Sequence, residues 1–217
     1  MKYLIGLMSF GVLFMRCNAH SEPNLPMIKP PVEPADTLTA YEAFFQDYPD
    51  FKSDGFDFPV GAPNCQGYYN AQPFGENYHL GDDWNGVGGG NTDLGDPVYA
   101  AGNGYVSEVY DAGGGWGNVV RIIHQVSDSS YMETLYAHLQ TMEVTEGDGI
   151  KKGTQLGTIG NADGAYLAHL HFELRSTPLM GLNGGYSTDT TGYTDPTKYI
   201  QSNRRVMWRM ALKPLKQ

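Results

Sequence analysis

The middle of the chain alternates between short runs of apolar residues and clusters of glycine. Runs of roughly four to eight apolar residues, bounded by turn-forming residues, are typical of β-strands. The pattern predicts strands around Tyr99 and at residues 104–111, 118–126, 131–139, 154–159 and 170–175. We therefore expect an all-β fold, built as a compact antiparallel sheet.

The segments on either side of this region carry different patterns. Aromatic residues recur at helical spacing over residues 39–47 and predict a short N-terminal helix, with Thr39 and Glu42 forming a capping box. Residues 51–74 contain prolines and phenylalanines without a regular period, so we expect irregular chain there. Asp195 is expected to begin a second short helix. The predicted fold class is thus an all-β domain with a short helix and irregular extensions.

The start of the chain resembles an export signal. Lys2 is followed by a mostly apolar run at residues 3–15, and Cys17 and Ala19 provide small residues at the two positions that a signal peptidase reads. The run is too short to span a bilayer comfortably. We therefore expect cleavage after Ala19 and a periplasmic or extracellular protein. Lipid attachment at Cys17 is the alternative, which the bulky, charged Arg16 disfavours.

Changes in composition divide the chain into five predicted parts. They are a signal peptide at 1–19, a proline-rich linker at 20–38, an N-terminal extension at 39–76, a β domain at 77–176 and a C-terminal extension at 177–217. Cleavage after residue 19 leaves Cys65 as the only cysteine. No intramolecular disulfide can then form, so the core must supply the stability of a protein that we expect to be a monomer.

The charge of the chain excludes one class of partner. The formal net charge is −10 at pH 7, and such a field repels a polyanion. We therefore expect no nucleic-acid partner. The glycine-rich loops at 86–90 and 113–115 also lack the Lys-Ser/Thr ending of a phosphate-binding loop.

Two pairs of residues carry the spacing of a metal site. Alternate side chains of an extended strand share one face, so His169 and His171 point the same way, as do His79 and Asp83 in an extended segment. Joining His79, Asp83 and His171 gives two imidazoles and one carboxylate, the ligand set of a catalytic zinc ion with an open fourth position. His138 and His169 remain beside this set, and imidazoles can accept protons from water near neutral pH. The residues indicate a hydrolase that binds one Zn²⁺ ion.

Three ordered motifs carry a resemblance to a known family. His-x-x-x-Asp at His79 and Asp83, Tyr-Ala-His-Leu around His138 and His-Leu-His-Phe-Glu from His169 resemble, in this order, the lysostaphin-type, or β-lytic, zinc metallopeptidases that cut peptidoglycan cross-bridges. The resemblance covers residues 78–176. It implies a small antiparallel β domain of the duplicated hybrid motif type, with the site in a groove between loops.

The resemblance also implies a role for each site residue. His79, Asp83 and His171 would bind zinc, and His138 and His169 would be the catalytic pair. We assign His169 as the base that activates water and His138 as the group that steadies the tetrahedral intermediate, with the exchanged roles as the alternative. The implied substrate is a peptide stem or cross-bridge of bacterial peptidoglycan.

Several features depart from the family pattern or extend it. Residues 84–94 lengthen the link after His-x-x-x-Asp and should reshape one wall of the groove, and Tyr166-Leu167-Ala168 replaces the usual sequence before His-x-His. Glu173 is either a support for a histidine or a salt-bridged sheet residue. His124, in an apolar strand, is expected to be structural. A tyrosine often assists oxyanion stabilisation in this family, and three lie near the motifs: Tyr68, Tyr69 and Tyr78.

Three functions are compatible with these residues. The first is an exported zinc endopeptidase that cuts peptidoglycan, with glycine-rich protein as an alternative substrate. The second is a non-catalytic family member that binds the cell wall or activates an amidase partner, although such proteins typically lack ligands that this chain retains. The third is a carbohydrate-binding or structural β domain, which would leave the metal ligands unexplained.

Overall fold

A computed structural model of the chain describes residues 34–204. Within these residues the chain forms two α-helices and ten β-strands. In chain order they are α1 (Pro34–Asp47), β1 (Tyr68–Gln72), β2 (Asp82–Gly86), β3 (Pro97–Tyr99), β4 (Gly104–Asp111), β5 (Asn118–Ser127), β6 (Ser130–Met142), β7 (Gly149–Ile150), β8 (Gln155–Ile159), β9 (Leu170–Arg175), β10 (Tyr193–Thr194) and α2 (Pro196–Ser202). The predicted signal peptide, the linker up to residue 33 and the basic tail from residue 205 lie outside the described residues.

The strands pair throughout in antiparallel fashion. The main path of the sheet is β1-β2-β9-β6-β5-β4-β7, while β10 pairs with β9, and β8 joins β6 to β3. β6 is the longest strand and pairs with β5, β9 and β8. The predicted all-β, antiparallel fold class is confirmed.

The core lies where the apolar face of β9 meets β6 and β2. Phe172 pairs with Tyr136 of β6 and with Asp82 of β2, while Leu170 pairs with Trp84. Phe172, Tyr136 and Leu170 are buried in one apolar cluster with Trp84. Each large apolar side chain removed from water contributes about 1.5–3 kcal/mol. The packing of Leu170 and Phe172 therefore fixes the strand that carries His171.

The segments on both flanks pack against this sheet. In α1, Tyr41 and Phe45 are buried against Ile123 of β5, and in α2, Ile200 belongs to the main core. The division into a β domain at 77–176 with two extensions stays a prediction. Within residues 34–204, no helix is long and apolar enough to cross a membrane.

Two local predictions in the N-terminal flank are wrong. The helix begins at Pro34 and not at Thr39, so Thr39 lies inside α1 and cannot cap its N-terminus. Proline is well placed there because the first turn of a helix has no use for its missing N–H group. The segment 51–74, expected to be irregular, contains strand β1.

His124 is buried inside the sheet and fully bonded. Its Nδ1 lies 2.8 Å from the carbonyl oxygen of Asn103, and its Nε2 lies 2.7 Å from the hydroxyl group of Thr134. Because a carbonyl group cannot donate, Nδ1 carries the proton and Nε2 accepts from Thr134. Burial lowers the pKa of His124 to about 4. The ring is therefore a neutral part of the core, in agreement with the expected structural role.

We expect this histidine to make stability fall in mild acid. Below about pH 6.5, the ordinary pKa of histidine, His124 is protonated in the unfolded chain. In the folded protein it stays neutral until the pH falls to about 4. The contribution is complete above pH 6.5 and is lost as the pH falls towards 4, up to about 3 kcal/mol. Urea unfolding from pH 7 to pH 4 should show a steeper loss for the parent protein than for His124→Gln. Equal slopes would contradict the prediction.

Candidate metal centre

Three predicted ligands meet because β2 and β9 pair in one register. Asp83 of β2 lies directly opposite His171 of β9, so both side chains share a face. His79 ends the helical turn Glu76–Tyr78, just before β2. Its Nε2 lies 3.0 Å from Nδ1 of His171 and 3.4 Å from Oδ1 of Asp83, and the last two atoms are 2.9 Å apart. The spacing of four residues between His79 and Asp83, together with the pairing of Asp83 with His171, thus brings three donor atoms together.

This triangle of donor atoms fits a zinc ion. Ligand atoms bound at 2.0–2.2 Å in a tetrahedral arrangement lie roughly 3.3–3.6 Å from one another. Of the three observed separations, the longest, 3.4 Å, lies in this range, and the other two, 2.9 and 3.0 Å, are shorter by a few tenths of an ångström. Two imidazoles and one carboxylate also match the donor types that zinc selects.

Hydrogen bonds on the outer side of each ring orient both ligand histidines. His79 donates through Nδ1 to the carbonyl oxygen of Gln72 at 3.1 Å, and His171 donates through Nε2 to Oε1 of Glu173 at 3.1 Å. A neutral imidazole that donates through one nitrogen presents a lone pair on the other. In the neutral form of each ring, which His171 reaches when the proton on its Nδ1 is displaced from Asp83, Nε2 of His79 and Nδ1 of His171 can both bind an ion.

Glu173 belongs to a buried network of alternating charges. Its Oε2 accepts from Nε of Arg175 at 2.7 Å, and Nη1 of Arg175 lies 3.5 Å from Glu133. Glu133 in turn pairs with Arg121 at 2.8 Å. We call Arg121, Glu133, Glu173 and Arg175 the charge ladder. The two alternatives for Glu173 are thus both realised, because one oxygen supports His171 and the other pairs with Arg175.

The charge ladder also holds the loop that follows β9. Arg121 and Arg175 both donate to the carbonyl oxygen of Met180, at 2.8 and 3.0 Å, and Glu133 accepts from the N–H group of Leu179 at 2.8 Å. The same buried side chains therefore orient His171 and fix residues 179–180, at the start of the loop that forms one wall of the groove.

The predicted catalytic histidines lie beside the three ligands. His138 sits where an extra residue of β6 interrupts its pairing with β5, and its backbone is left-handed, with φ of 61°. Such bulges redirect a side chain at functional sites. The centroid of the His138 ring lies 4.7 Å from the ring centroid of His169 and 5.6 Å from that of His171. His169 Nε2 is 3.8 Å from Oδ1 of Asp83.

Both of these rings also donate to the backbone. Nδ1 of His138 lies 3.2 Å from the carbonyl oxygen of Trp116, and Nδ1 of His169 lies 2.8 Å from that of Leu167. Each neutral ring therefore keeps the lone pair of Nε2. The structure brings all five sequence-predicted residues around one pocket.

The electrostatics of the site favour a cation between the carboxylates. Burial of the ring acts to lower the pKa of His171, but its hydrogen bonds to Asp83 and Glu173 raise it to about 9. Burial likewise acts to raise the pKa of Asp83, yet the bond from His171 holds it below its usual value. Burial and the neighbouring His171 and His169 lower the pKa of His138 to about 3. The centre therefore attracts positive charge, while His138 stays neutral.

The five residues line a cavity of about 510 Å³. Its other walls come from Gln72 of β1, from Gly115 and Trp116 before β5, from Tyr166, and from Gly184, Gly185 and Tyr186. The residues 184–187 run beside the residues 78–80: Leu80 donates to the carbonyl oxygen of Gly185, and Ser187 donates to that of Tyr78. His79 is thereby held between β1 and the loop after β9.

Sequence reasoning missed most of these walls. Of the tyrosines near the motifs, Tyr68, Tyr69 and Tyr78 do not line the cavity, whereas Tyr166 and Tyr186 do. The ring centroids of Tyr186 and His79 are 5.1 Å apart. The Tyr186 hydroxyl group donates to Oε1 of Gln72 at 3.1 Å. No local pattern marks Tyr186, because its place depends on pairing with a segment more than a hundred residues earlier.

Comparison with known proteins finds relatives of the part of the chain that carries most of these residues. The model of Peptidase family M23 matches residues 83–186. The uncharacterized lipoprotein YgeR of Escherichia coli is 41% identical over 81 residues, which are 37% of this chain and 30% of that protein. Lipoprotein NlpD of Yersinia enterocolitica is 37% identical over 81 residues, which are 37% of this chain and 78% of NlpD.

One solved structure is also similar to part of the chain. A zinc-containing peptidase from Vibrio cholerae is 27% identical, with a TM-score of 0.46, over 56% of this chain and 37% of that one. The family match includes Asp83, His138, His169 and His171, and His79 lies four residues before it. With so much of NlpD matched in sequence and the family's ordered motifs meeting in one pocket, the chain belongs to peptidase family M23.

Proposed function

We propose that this protein is an exported zinc endopeptidase that hydrolyses peptide bonds in bacterial peptidoglycan. The observation that carries the proposal is the meeting of three donor atoms within 3.4 Å of one another, with two further imidazoles beside them in one open pocket. A binding or activating protein would not need this complete set. The apolar run at residues 3–15 supports export.

In this proposal His79, Asp83 and His171 hold one Zn²⁺ ion. Zinc would supply Lewis acidity to the scissile carbonyl group and to the attacking water. The chain's own contribution is to keep the donors aligned. Gln72 and Glu173 accept the outer N–H groups of the two histidines, so neither ring can turn its lone pair away without breaking a hydrogen bond.

His169 would act as the general base. Its Nδ1 already donates to the backbone, so the free lone pair of Nε2 faces the pocket and can take a proton from water. His138 would steady the tetrahedral intermediate only after its Nε2 has taken up a proton, because the neutral ring carries its one proton on Nδ1, which donates to Trp116. Since both rings present the same nitrogen, the exchanged assignment is the second candidate.

The pocket suits an extended peptide. Aromatic side chains line it on several sides, with Trp116, Tyr166 and Tyr186 around the histidines. The glycines at 115, 184 and 185 leave room for a backbone to approach closely. We propose that the stem or cross-bridge peptide lies across the histidines between these aromatic residues.

We expect purified residues 20–217 to release soluble fragments from murein, and the release to stop when the metal is removed by a chelator. Adding back zinc should restore activity, because the donor set matches that ion. Mass spectrometry of the products from defined muropeptides identifies the bond that is cut.

Two outcomes would reject the endopeptidase proposal. If the zinc-loaded protein leaves both murein and glycine-rich peptides uncut, it is not a peptidase of this type. If it also stimulates an amidase while its own site binds no metal, the non-catalytic function takes its place.

A further inference from the structure

Two asparagine side chains, one from β2 and one from the loop after it, hold the backbone just before His169. The N–H group of Ala168 donates to Oδ1 of Asn91 at 2.8 Å, and Nδ2 of Asn85 donates to the carbonyl oxygen of Ala168 at 3.2 Å. Ala168 is fully buried. Asn85 belongs to β2, and Asn91 lies in the long loop that follows it. Both asparagines fall in the stretch 84–94 that sequence analysis marked as unusual.

The bond from Asn91 acts on a peptide group that also contacts the His169 ring. The N–H group of Ala168 and the carbonyl group of Leu167 belong to one planar peptide unit. Asn91 accepts from the N–H side of this unit, and Nδ1 of His169 donates to its carbonyl oxygen at 2.8 Å. Because the unit is planar, the side chain that fixes its N–H direction also fixes the direction of its carbonyl group.

The next peptide unit is held in the same way. The carbonyl group of Ala168 accepts from Asn85, and the N–H group of His169 in the same unit donates to the carbonyl oxygen of Gly160 at 3.2 Å. Both peptide units that lead into His169 are therefore bonded on both sides. The histidine has little freedom to turn about its own backbone.

The loop that carries Asn91 has a defined structure of its own. The carboxylate of Asp93 is buried and accepts from the N–H group of Gly86 at 2.8 Å. Thr92 donates to the carbonyl oxygen of Gly89 at 2.8 Å. A side chain at Gly88 would meet the Thr92 hydroxyl group at 2.5 Å, so the turn closes tightly. These hydrogen bonds fix the position of Asn91 beside Ala168.

We propose that Asn91 is a positioning residue, which sets the tautomer and orientation of His169 through the peptide unit between Leu167 and Ala168. The inference rests on the proposed function, because His169 acts there as the base. With Nδ1–H held on Leu167, Nε2 keeps its lone pair towards the pocket. The lengthened loop is then part of the machinery that orients the base, and not only a wall that meets substrate.

The test compares three variants of the zinc-loaded protein. Asn91→Ala removes the acceptor, Asn91→Asp keeps an acceptor oxygen, and Val87→Ala changes an exposed side chain of the same loop as a control. We measure kcat and KM on a soluble murein peptide, the His169 tautomer by ¹⁵N NMR of labelled imidazole, and the thermal midpoint.

We expect Asn91→Ala to lower kcat about fivefold with little change in KM, the size that one neutral hydrogen bond supports. Its His169 should lose the single Nδ1–H tautomer. Asn91→Asp and Val87→Ala should keep both kcat and tautomer. An Asn91→Ala protein with unchanged tautomer overturns the inference, whether or not kcat falls. If the parent protein cuts no murein, the proposed function fails, and the tautomer comparison still decides the role of Asn91.

Discussion

Alanine in place of His169 is expected to lower kcat/KM for a murein peptide by about 10²–10⁴-fold, the range of general-base catalysis, while the zinc content stays unchanged. Three other side chains provide the donors within 3.4 Å of one another, and the His169 ring lies outside that triangle. The variant therefore loses its proton acceptor and keeps its ion.

His171→Ala is the matched comparison for this result. It removes one corner of the triangle and the partner of Glu173, so we expect it to lose both zinc and activity. Metal content per protein and kcat/KM are measured side by side. Loss of zinc in His169→Ala would place that ring among the ligands and reject the assignment of His79, Asp83 and His171.

Replacement of Arg175 by methionine is expected to cost about 3–5 kcal/mol of unfolding free energy, the range for breaking a buried ion pair. Arg175 is fully buried and contacts Glu173 at 2.7 Å, Met180 at 3.0 Å and Glu133 at 3.5 Å. Its loss leaves the Glu173 carboxylate without its guanidinium partner. Methionine fills much of the volume, so the cost is mainly electrostatic.

Arg204→Met provides the control for charge removal. Arg204 also pairs with a carboxylate, Asp57, at 3.2 Å, but its side chain is a quarter exposed. Partly exposed pairs contribute about 0–1 kcal/mol because water screens them. Denaturant unfolding of both variants gives the comparison. A cost below about 1 kcal/mol for Arg175→Met would mean that the ladder tolerates an uncompensated carboxylate, contrary to the argument from burial.

The sequence predicts best those elements whose patterns are local. Residues 104–111 and 170–175 have the bounds of β4 and β9, because glycines flank the first run and alternating apolar and polar residues mark the second. β1 and β2 were not predicted, because Tyr68–Gln72 and Asp82–Gly86 are polar segments. They form strands because they pair with each other and because β2 also pairs with β9. Their structure is decided by tertiary contacts, which outweigh local preference.

The same distinction applies to the site. Residue types, spacing and the family's ordered motifs together predict His79, Asp83, His138, His169 and His171 as site residues, and all five line one pocket. The register that sets Asp83 opposite His171, the bulge at His138 and the partners of Glu173 could not be predicted. Each depends on residues that are distant in the chain, and one shift of register would turn the side chains to the other face.

The family-matched residues depend on chain that lies outside them. His79 and its hydrogen-bond partner Gln72 precede residue 83, and Thr197, whose hydroxyl group donates to Asp82 at 2.6 Å, follows residue 186. A chimera that transplanted only the matched segment into another scaffold would leave one proposed ligand and two anchors behind. A transplantable unit therefore includes at least the stretch from β1 to α2, together with the core residues Phe56, Phe58 and Val60 that precede it.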